Sequence, residues 1–302
     1  MKKRRALFAS LTLAGLSMEE LYRYIFCRHQ GSLSFADFKH HSEDYYERRD
    51  RYADDFGKLP FTEYTLKGER GRTLVGHYIC AGEKPSGRIA FLIHGYRADS
   101  AEAAGPFYEY YFSKGWDVFV CDHASHGLSE GEIISYDYYE SLDCLKWLDF
   151  LKENYGEDIQ IILHGFSMGG AIVVKMSDRV PENVKFICDD CGFSDAVGII
   201  KPKLKVLYPV VRLLNRGVGR FRLEDTDVRE NLSHAKVPIL FVHGTADPTV
   251  PFEMGKELYE LCPTEKDCLF SEGILHVESI YRRREEYEKK LDSFIDKYTK
   301  RG

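Results

Sequence analysis

The pattern of hydrophobic and polar positions changes twice along the chain. Residues 1–58 are rich in charge and have helical spacing, which predicts an N-terminal helical extension. In Thr62–Lys67 and Thr73–Cys80 apolar and polar residues alternate, which predicts half-buried antiparallel strands. From Arg88 onward the short apolar runs are unbroken, as is typical of strands that are buried on both faces.

Helical stretches separate these unbroken runs, and Tyr138–Tyr155 and Glu278–Tyr298 are two of the longer ones. Continuous apolar strands that alternate with amphipathic helices indicate a mostly parallel sheet covered on both faces. We therefore predict one α/β domain over residues 59–302. Its buried strands are predicted at Ile89–Ile93, Val118–Cys121, Ile159–Leu163, Val184–Cys188, Ile239–Val242 and Cys268–Phe270.

A segment of about residues 193–236 interrupts this alternation, because it contains no clear strand. An insertion at this place is expected above the carboxyl ends of the strands, where ligands bind, and we predict a small helical cap. It has no acidic residue between Ala196 and Leu223. We favour an amphipathic cap whose charges are solvated; the alternative is a field that attracts anionic substrates or an anionic lipid surface. The cations are Lys201, Lys203, Lys205, Arg212, Arg216, Arg220 and Arg222.

Composition narrows the class of protein. With 44% hydrophobic and 30% charged residues and a net charge of -6, the chain is typical of globular proteins, and nucleic acid is not an expected partner. Eight cysteines in 302 residues are too sparse for a disulfide scaffold, so we expect reduced thiols in a cytoplasmic protein. Cys188 and Cys191 form a single CxxC without a second pair, and no metal site is predicted from it.

The N-terminus admits three interpretations. A basic start at Lys2 and an apolar run from Ala6 resemble a secretory signal, but the run stops at Glu19, short of the roughly 20 residues that a membrane span requires. We favour an amphipathic helix that lies on the protein or on a membrane, over a vestigial signal or anchor and over cleaved export. Its apolar positions are Leu7, Leu11, Leu16, Leu21 and Ile25.

The segment Gly165–Gly169 fits the motif G-x-S-x-G, with Ser167 at its centre. It lies between the predicted strand that ends at Leu163 and a helical run that begins at Ala171. This strand–turn–helix context holds a serine in a strained turn at the end of a strand, where only glycine avoids collisions with neighbouring backbone. We predict that Ser167 is a nucleophile and that Gly165 and Gly169 support the turn.

A serine hydroxyl needs a base and the base needs an orienting acid, and the chain order Ser, Asp, His is the one expected for this arrangement. Asp247 follows the predicted strand at Val242, and His276 follows the last predicted strand. We predict that His276 accepts the proton of Ser167 and that Asp247 orients the histidine.

A third element, His94-Gly95-Tyr96, follows the strand that ends at Ile93. Acyl transfer develops negative charge on a carbonyl oxygen, which two backbone amides must stabilise. We assign these amides to Met168, which follows the serine, and to Tyr96. His94 and Gly95 are expected to support the loop rather than to react.

From about residue 60 to residue 300 the chain resembles the bacterial serine-aminopeptidase-like α/β hydrolases, many of which are carboxylesterases. The resemblance implies the α/β-hydrolase fold and hydrolysis of a small-molecule ester through an acyl-enzyme, without metal or organic cofactor. The matching segments are His94-Gly95-Tyr96, Asp122–Gly131, His164–Gly170, Gly244–Asp247 with Val250-Pro251, and Gly273–His276.

Two departures from the family concern loops beside the site. The family usually has Arg-Gly where this chain has Ala124-Ser125, and often has glycine where this chain has Leu275. We therefore expect a serine carboxylesterase but do not carry over a substrate. A peptidase or amidase and an acyl-thioesterase would use the same triad, and a non-catalytic binding protein is the alternative of another class. The basic segments suggest medium-length acyl esters at or near a membrane.

Overall fold

The computed structural model describes residues 18–28 and 41–300, so the predictions for residues 1–17 lie outside it. None of the helices in these two ranges is long and apolar enough to cross a membrane. Helix α1, Met18–Phe26, is the described part of the predicted N-terminal helix. Its residues Tyr22, Ile25 and Phe26 are buried among core residues of the α/β domain, so this part does not present its apolar face to a membrane.

The eight strands form one sheet in the order β1-β2-β4-β3-β5-β6-β7-β8. Strand β2 pairs antiparallel with β1 and with β4, and all other pairs are parallel, which confirms the predicted α/β architecture with an antiparallel start. The strands are β1 Thr62–Lys67, β2 Thr73–Ile79, β3 Arg88–Ile93, β4 Asp117–Asp122, β5 Gln160–Phe166, β6 Val184–Asp190, β7 Ile239–Gly244 and β8 Lys266–Ser271.

The remaining helices cover the sheet and its carboxyl edge. They are α2 Tyr45–Gly57, α3 Ser100–Ala104, α4 Tyr108–Ser113, α5 Tyr138–Tyr155, α6 Met168–Met176, α7 Ala196–Leu204, α8 Tyr208–Val218, α9 Arg229–Ser233, α10 Phe252–Leu261, α11 Ser279–Arg282 and α12 Arg284–Tyr298. The prediction of one continuous helix over Glu278–Tyr298 is wrong. Arg283, with ψ of 37°, separates α11 from α12, and this turn lets α11 lie beside the site while α12 covers the sheet.

Strand β3 explains why the apolar runs are continuous. Ile89, Phe91 and Ile93 belong to the core on one face of the sheet, whereas Ala90 and Leu92 belong to the core on the other. Because both faces of the sheet are covered, a polar side chain on either face of the strand would be a buried group without a partner. Because β3, β5, β7 and β8 belong to the parallel part of the sheet, their carboxyl ends lie at the same edge, where polar side chains are tolerated.

Between β6 and β7 the chain forms α7, α8 and α9 with no strand, in a stretch that the structure describes throughout. Helix α8 packs against α1, and Tyr22 Oη donates a hydrogen bond to Asn215 Oδ1 at 3.2 Å. The N-terminal extension and this insertion are therefore in direct contact, although they are far apart in the sequence. The division of the chain into extension, domain and cap stays a prediction.

Candidate active site

Ser167 occupies the turn between β5 and α6, with φ of 57° and ψ of -115°. A side chain at Gly165 would overlap the carbonyl of Gly169, and one at Gly169 would overlap the carbonyl of Ile93. The two glycines thus allow α6 to begin directly after Ser167 while its first turn lies against β3. The Ser167 amide donates a hydrogen bond to the Asp190 carbonyl at 2.7 Å, which holds the turn in this strained conformation.

His276 joins the serine to a carboxylate. Its Nε2 lies 2.8 Å from Ser167 Oγ, and its Nδ1 lies 2.6 Å from Asp247 Oδ2. With Nδ1 protonated toward the carboxylate, Nε2 accepts a hydrogen bond from the serine hydroxyl. The other carboxylate oxygen of Asp247 accepts the amides of Thr249 and Val250 at 2.7 and 2.9 Å. All three residues that the sequence selected are therefore brought into one hydrogen-bonded chain.

The electrostatics of Asp247 favour its ionised form. Burial by itself would raise the pKa of this carboxyl, but the neighbouring charge of His276 and the hydrogen bonds from His243 and His276 hold it well below its ordinary value. His243 Nε2 lies 3.4 Å from Asp247 Oδ2, and this contact raises the pKa of His243 against the opposite effect of its burial.

The loop after β3 lies against the nucleophile. A Cβ at Gly95 would be 3.2 Å from Ser167 Cβ, so the backbone of this loop approaches the serine as closely as a glycine allows. Neither the Tyr96 amide nor the Met168 amide donates to any group within residues 18–28 and 41–300. The phenol of Tyr96 donates to the Ile25 carbonyl at 2.9 Å, which joins the loop to α1.

His94 contacts the backbone on both sides of this loop. Its Nδ1 donates to the Gly95 carbonyl at 2.8 Å, and its Nε2 accepts the His123 amide at 3.0 Å. Burial lowers the pKa of His94, which keeps the ring neutral and able to accept. Ser125 adopts φ of 71° and donates its hydroxyl to the Ile133 carbonyl at 2.9 Å.

Comparisons with known proteins bear on the fold of this chain. Residues 84–224 match the family model of the serine aminopeptidases S33. The chain has the α/β-hydrolase fold. Uncharacterized protein YqkD of Bacillus subtilis is 23% identical to it over 252 residues, which are 80% of this chain and 82% of YqkD. Human alpha/beta hydrolase domain-containing protein 17C is 26% identical over 218 residues, and the match spans 70% of this chain and 59% of 17C.

Solved structures show the same fold. The Pyrococcus furiosus esterase Pf2001 superposes with a TM-score of 0.65 and 23% identity, covering 82% of this chain and 94% of the esterase. The acylaminoacyl peptidase of Pyrococcus horikoshii superposes with a TM-score of 0.60 and 16% identity, covering 82% of this chain and 44% of the peptidase. At these identities the likeness supports the fold and does not distinguish substrates.

A cleft of about 300 Å³ opens at Ser167 and His276. One wall comes from the N-terminal segment, and none of residues 193–236, all of which the structure describes, lines the cleft. The expectation that the insertion covers this site therefore does not apply to the cleft around Ser167. The N-terminal wall consists of His41, Tyr45, Tyr46 and Arg49.

Glu278 holds this wall in place. Its carboxylate accepts the amide and the hydroxyl of Ser42 at 2.8 and 2.6 Å, and His41 Nδ1 lies 3.4 Å away, at ion-pair distance. Burial opposes ionisation, but these contacts lower the pKa of Glu278 to about 2. Ser42 and Glu278 are 236 positions apart, and no motif in the sequence links them. Sequence reasoning therefore missed this part of the site.

The CxxC cysteines do not converge on a common point. Cys188 Sγ lies 3.7 Å from Tyr287 Oη, and Cys191 Sγ accepts the Val277 amide at 3.4 Å. Ligand atoms within 4.8 Å of one another occur in two sets of described residues, and a metal bound to the second set would displace the His276–Asp247 hydrogen bond. The sets are Cys121, His123, Cys144 and Cys191, Asp247, His276.

Proposed function

We propose that this hydrolase cleaves carboxylic esters through an acyl-enzyme, with Ser167 as nucleophile, His276 as general base and Asp247 as the orienting acid. The observation that carries the proposal is the hydrogen-bonded chain from Ser167 Oγ through both nitrogens of His276 to Asp247 Oδ2, at 2.8 and 2.6 Å. It stands on a strained turn that exposes the serine to a cleft.

In this mechanism Ser167 Oγ attacks the substrate carbonyl carbon while its proton moves to His276 Nε2. The carbonyl electrons move to oxygen, and the amides of Tyr96 and Met168 stabilise the oxyanion. When the tetrahedral intermediate collapses, the alcohol leaves with the proton from His276. Water then attacks the acyl-enzyme by the same proton transfers, which releases the acid and restores Ser167.

The name of the Pyrococcus furiosus neighbour, an esterase, supports ester substrates. The peptidase neighbour from Pyrococcus horikoshii keeps amide hydrolysis as the alternative, and an acyl-thioester would serve the same triad. An aminopeptidase needs a carboxylate in the cleft to bind the substrate amine. Among the described cleft residues Glu102 supplies the carboxylate, and it lies 3.4 Å from the guanidinium of Arg49. A carboxylate that is already paired is a poor receptor for a substrate amine, which favours the ester.

The membrane contact that the sequence left as the alternative for the basic insertion is retained in this proposal. Val206, Val210 and Leu213 recur at helical spacing on the insertion and are 64%, 40% and 69% exposed, next to the lysines of α7. An exposed apolar stripe with cations beside it suits an anionic lipid surface. All eight cysteines are free thiols, in keeping with the expected cytoplasmic location.

The test is steady-state hydrolysis of p-nitrophenyl esters from acetate to palmitate by wild type and Ser167→Ala. We expect the substitution to lower kcat by roughly 10⁴-fold or more with an unchanged circular dichroism spectrum. A fluorophosphonate should label wild type and not the variant. Hydrolysis that survives Ser167→Ala contradicts the proposal, and ester hydrolysis that is absent while labelling persists redirects it to amides or thioesters.

A further inference from the structure

Arg97 lines the cleft two residues after Gly95, the glycine that lies against Ser167. No carboxylate within the described ranges lies at ion-pair distance from its guanidinium. Its Nε is buried and has no hydrogen-bond partner among these residues. A buried N–H group without a partner is costly, so this guanidinium on the lining of the cleft is a candidate for binding a substrate anion.

The side chain of Arg97 is held in one position. One of its terminal nitrogens donates to the Tyr24 carbonyl, and its guanidinium lies 4.9 Å from the ring centroids of both Tyr24 and Tyr96. Its backbone has φ of 60°, and its amide donates to His126 Nε2 at 3.1 Å. A group that is already ordered loses little entropy when it binds a ligand.

The other charges of the cleft do not supply an anion receptor. Arg49 lies 2.6 Å from Asp50 and 3.4 Å from Glu102, so its charge is balanced within the protein. The cations of the insertion, which the sequence suggested as the source of attraction for anions, do not line the cleft. Arg97 is therefore the cation of the described lining that remains without a carboxylate partner.

We infer that Arg97 is the anion-binding residue of this cleft, and that the preferred esters carry a carboxylate or a phosphate a few atoms from the scissile carbonyl. The inference rests on the proposed esterase function and names its substrate class. A charge-assisted hydrogen bond from guanidinium to carboxylate would orient the ester beside Ser167. The anion can belong to the acyl part or to the alcohol part, and two pairs of substrates separate these cases.

The first pair is p-nitrophenyl hemiglutarate and p-nitrophenyl pentanoate, which differ in the charge of the acyl part. The second pair is 3-carboxy-4-nitrophenyl butyrate and p-nitrophenyl butyrate, which differ in the charge of the alcohol part. For wild type we expect kcat/KM, corrected for spontaneous hydrolysis, to be at least about 10-fold higher for the anionic member of one pair, the size of one charge-assisted contact. In Arg97→Gln this ratio should fall to about 1.

Arg97→Lys retains the charge and should keep part of the preference, which a purely structural role does not predict. Lys203→Gln is the matched control. Lys203 is a cation of the insertion that interacts electrostatically with Asp247 but does not line the cleft. Hydrolysis of neutral esters without any anion preference, an unchanged ratio in Arg97→Gln, or loss of the ratio in Lys203→Gln would overturn this inference alone. Absence of both ester hydrolysis and fluorophosphonate labelling of Ser167 would instead overturn the proposed function.

Discussion

At the scale of single residues, Asp247 combines burial with full satisfaction of its oxygens. It is 9% exposed, and its two oxygens accept from His276, Thr249 and Val250. Such a carboxylate sets both the tautomer and the direction of the imidazole. The role of Asp247 can therefore be tested separately from that of Ser167. The backbone around Asp247 needs a hydrogen-bond acceptor for the Thr249 and Val250 amides, which a side-chain amide also supplies.

Asp247→Asn is expected to lower kcat by about 10³- to 10⁴-fold with little change in KM, because an amide can donate to Nδ1 and stabilise the wrong tautomer. Steady-state kinetics with the preferred ester measures this effect. Asp158→Asn is the control, since Asp158 is exposed and precedes the amino end of β5. A loss of less than about tenfold for Asp247→Asn would remove it from the proposed triad.

Asp143 makes stability depend on pH. It is 2% exposed, and burial raises its pKa to about 7 although the Glu69 amide donates to it at 2.5 Å. The folded state binds the Asp143 proton more tightly than the unfolded state does. The protonated carboxyl therefore makes its full contribution to the free energy of unfolding below the unfolded pKa, and this contribution is lost as pH rises through about 7. In wild type this loss lowers the free energy of unfolding by up to about 1.4 kcal/mol per pH unit, and Asp143→Asn should lack this pH dependence.

Urea unfolding between pH 4 and pH 8 measures this slope in both proteins. Other buried carboxyls add their own slopes, so the comparison is the difference between variant and wild type at each pH. Parallel stability curves over the whole range would show that Asp143 is ionised in both states.

At the scale of elements, the N-terminal wall of the cleft depends on a contact between Ser42, which precedes α2, and Glu278, which follows His276. The Ser42 hydroxyl donates to Glu278 Oε2 at 2.6 Å, and the ring of His41 stacks on that of Tyr45 at 3.8 Å. The wall, the base and α11 thus form one packed unit. Loosening the wall should affect substrate binding more than chemistry.

Ser42→Ala removes the hydroxyl but leaves the backbone amide on Glu278, and we expect KM to rise about three- to tenfold with kcat within twofold. The lost hydrogen bond to a charged group accounts for an effect of this size. Kinetics with the preferred ester measures it, and Ser113→Ala, whose hydroxyl donates to the Tyr110 carbonyl, is the control. Equal KM values for the two variants would show that the wall does not contact the substrate.

At the scale of the whole molecule, positive charge is concentrated on the insertion although the net charge is -6. The proposed lipid contact predicts flotation with vesicles that contain anionic lipid and none with neutral vesicles. A triple lysine-to-glutamine variant of the insertion should bind about 100-fold more weakly, at about 1 kcal/mol for each lysine. The variant carries Lys201→Gln, Lys203→Gln and Lys205→Gln, and the control carries Lys84→Gln, Lys256→Gln and Lys289→Gln.

Unchanged binding of the insertion variant, or equal losses in both variants, would refute a specific lipid-binding face. Retained binding to neutral vesicles would point to the apolar stripe alone.

Much of this molecule follows from local sequence. The strands were predictable because burial on both faces demands continuous apolar runs, and Tyr138–Tyr155 was predicted with the bounds of α5. The positions of Ser167, Asp247 and His276 follow from the same logic, since polar residues directly after buried parallel strands must meet at one edge of the sheet. Backbone geometry links these positions, so no long-range contact has to be guessed.

Only the tertiary structure decided what surrounds the triad. The wall of His41 and Tyr45, its tie through Glu278, and the place of Arg97 on the lining arise from packing between segments that no motif connects. The sequence left open whether the cations of the insertion are solvated or act at the site, because charge density along a chain does not reveal which face a helix presents. Local periodicity specifies strands and the ends of strands, whereas the lining of a cleft depends on the docking of whole elements.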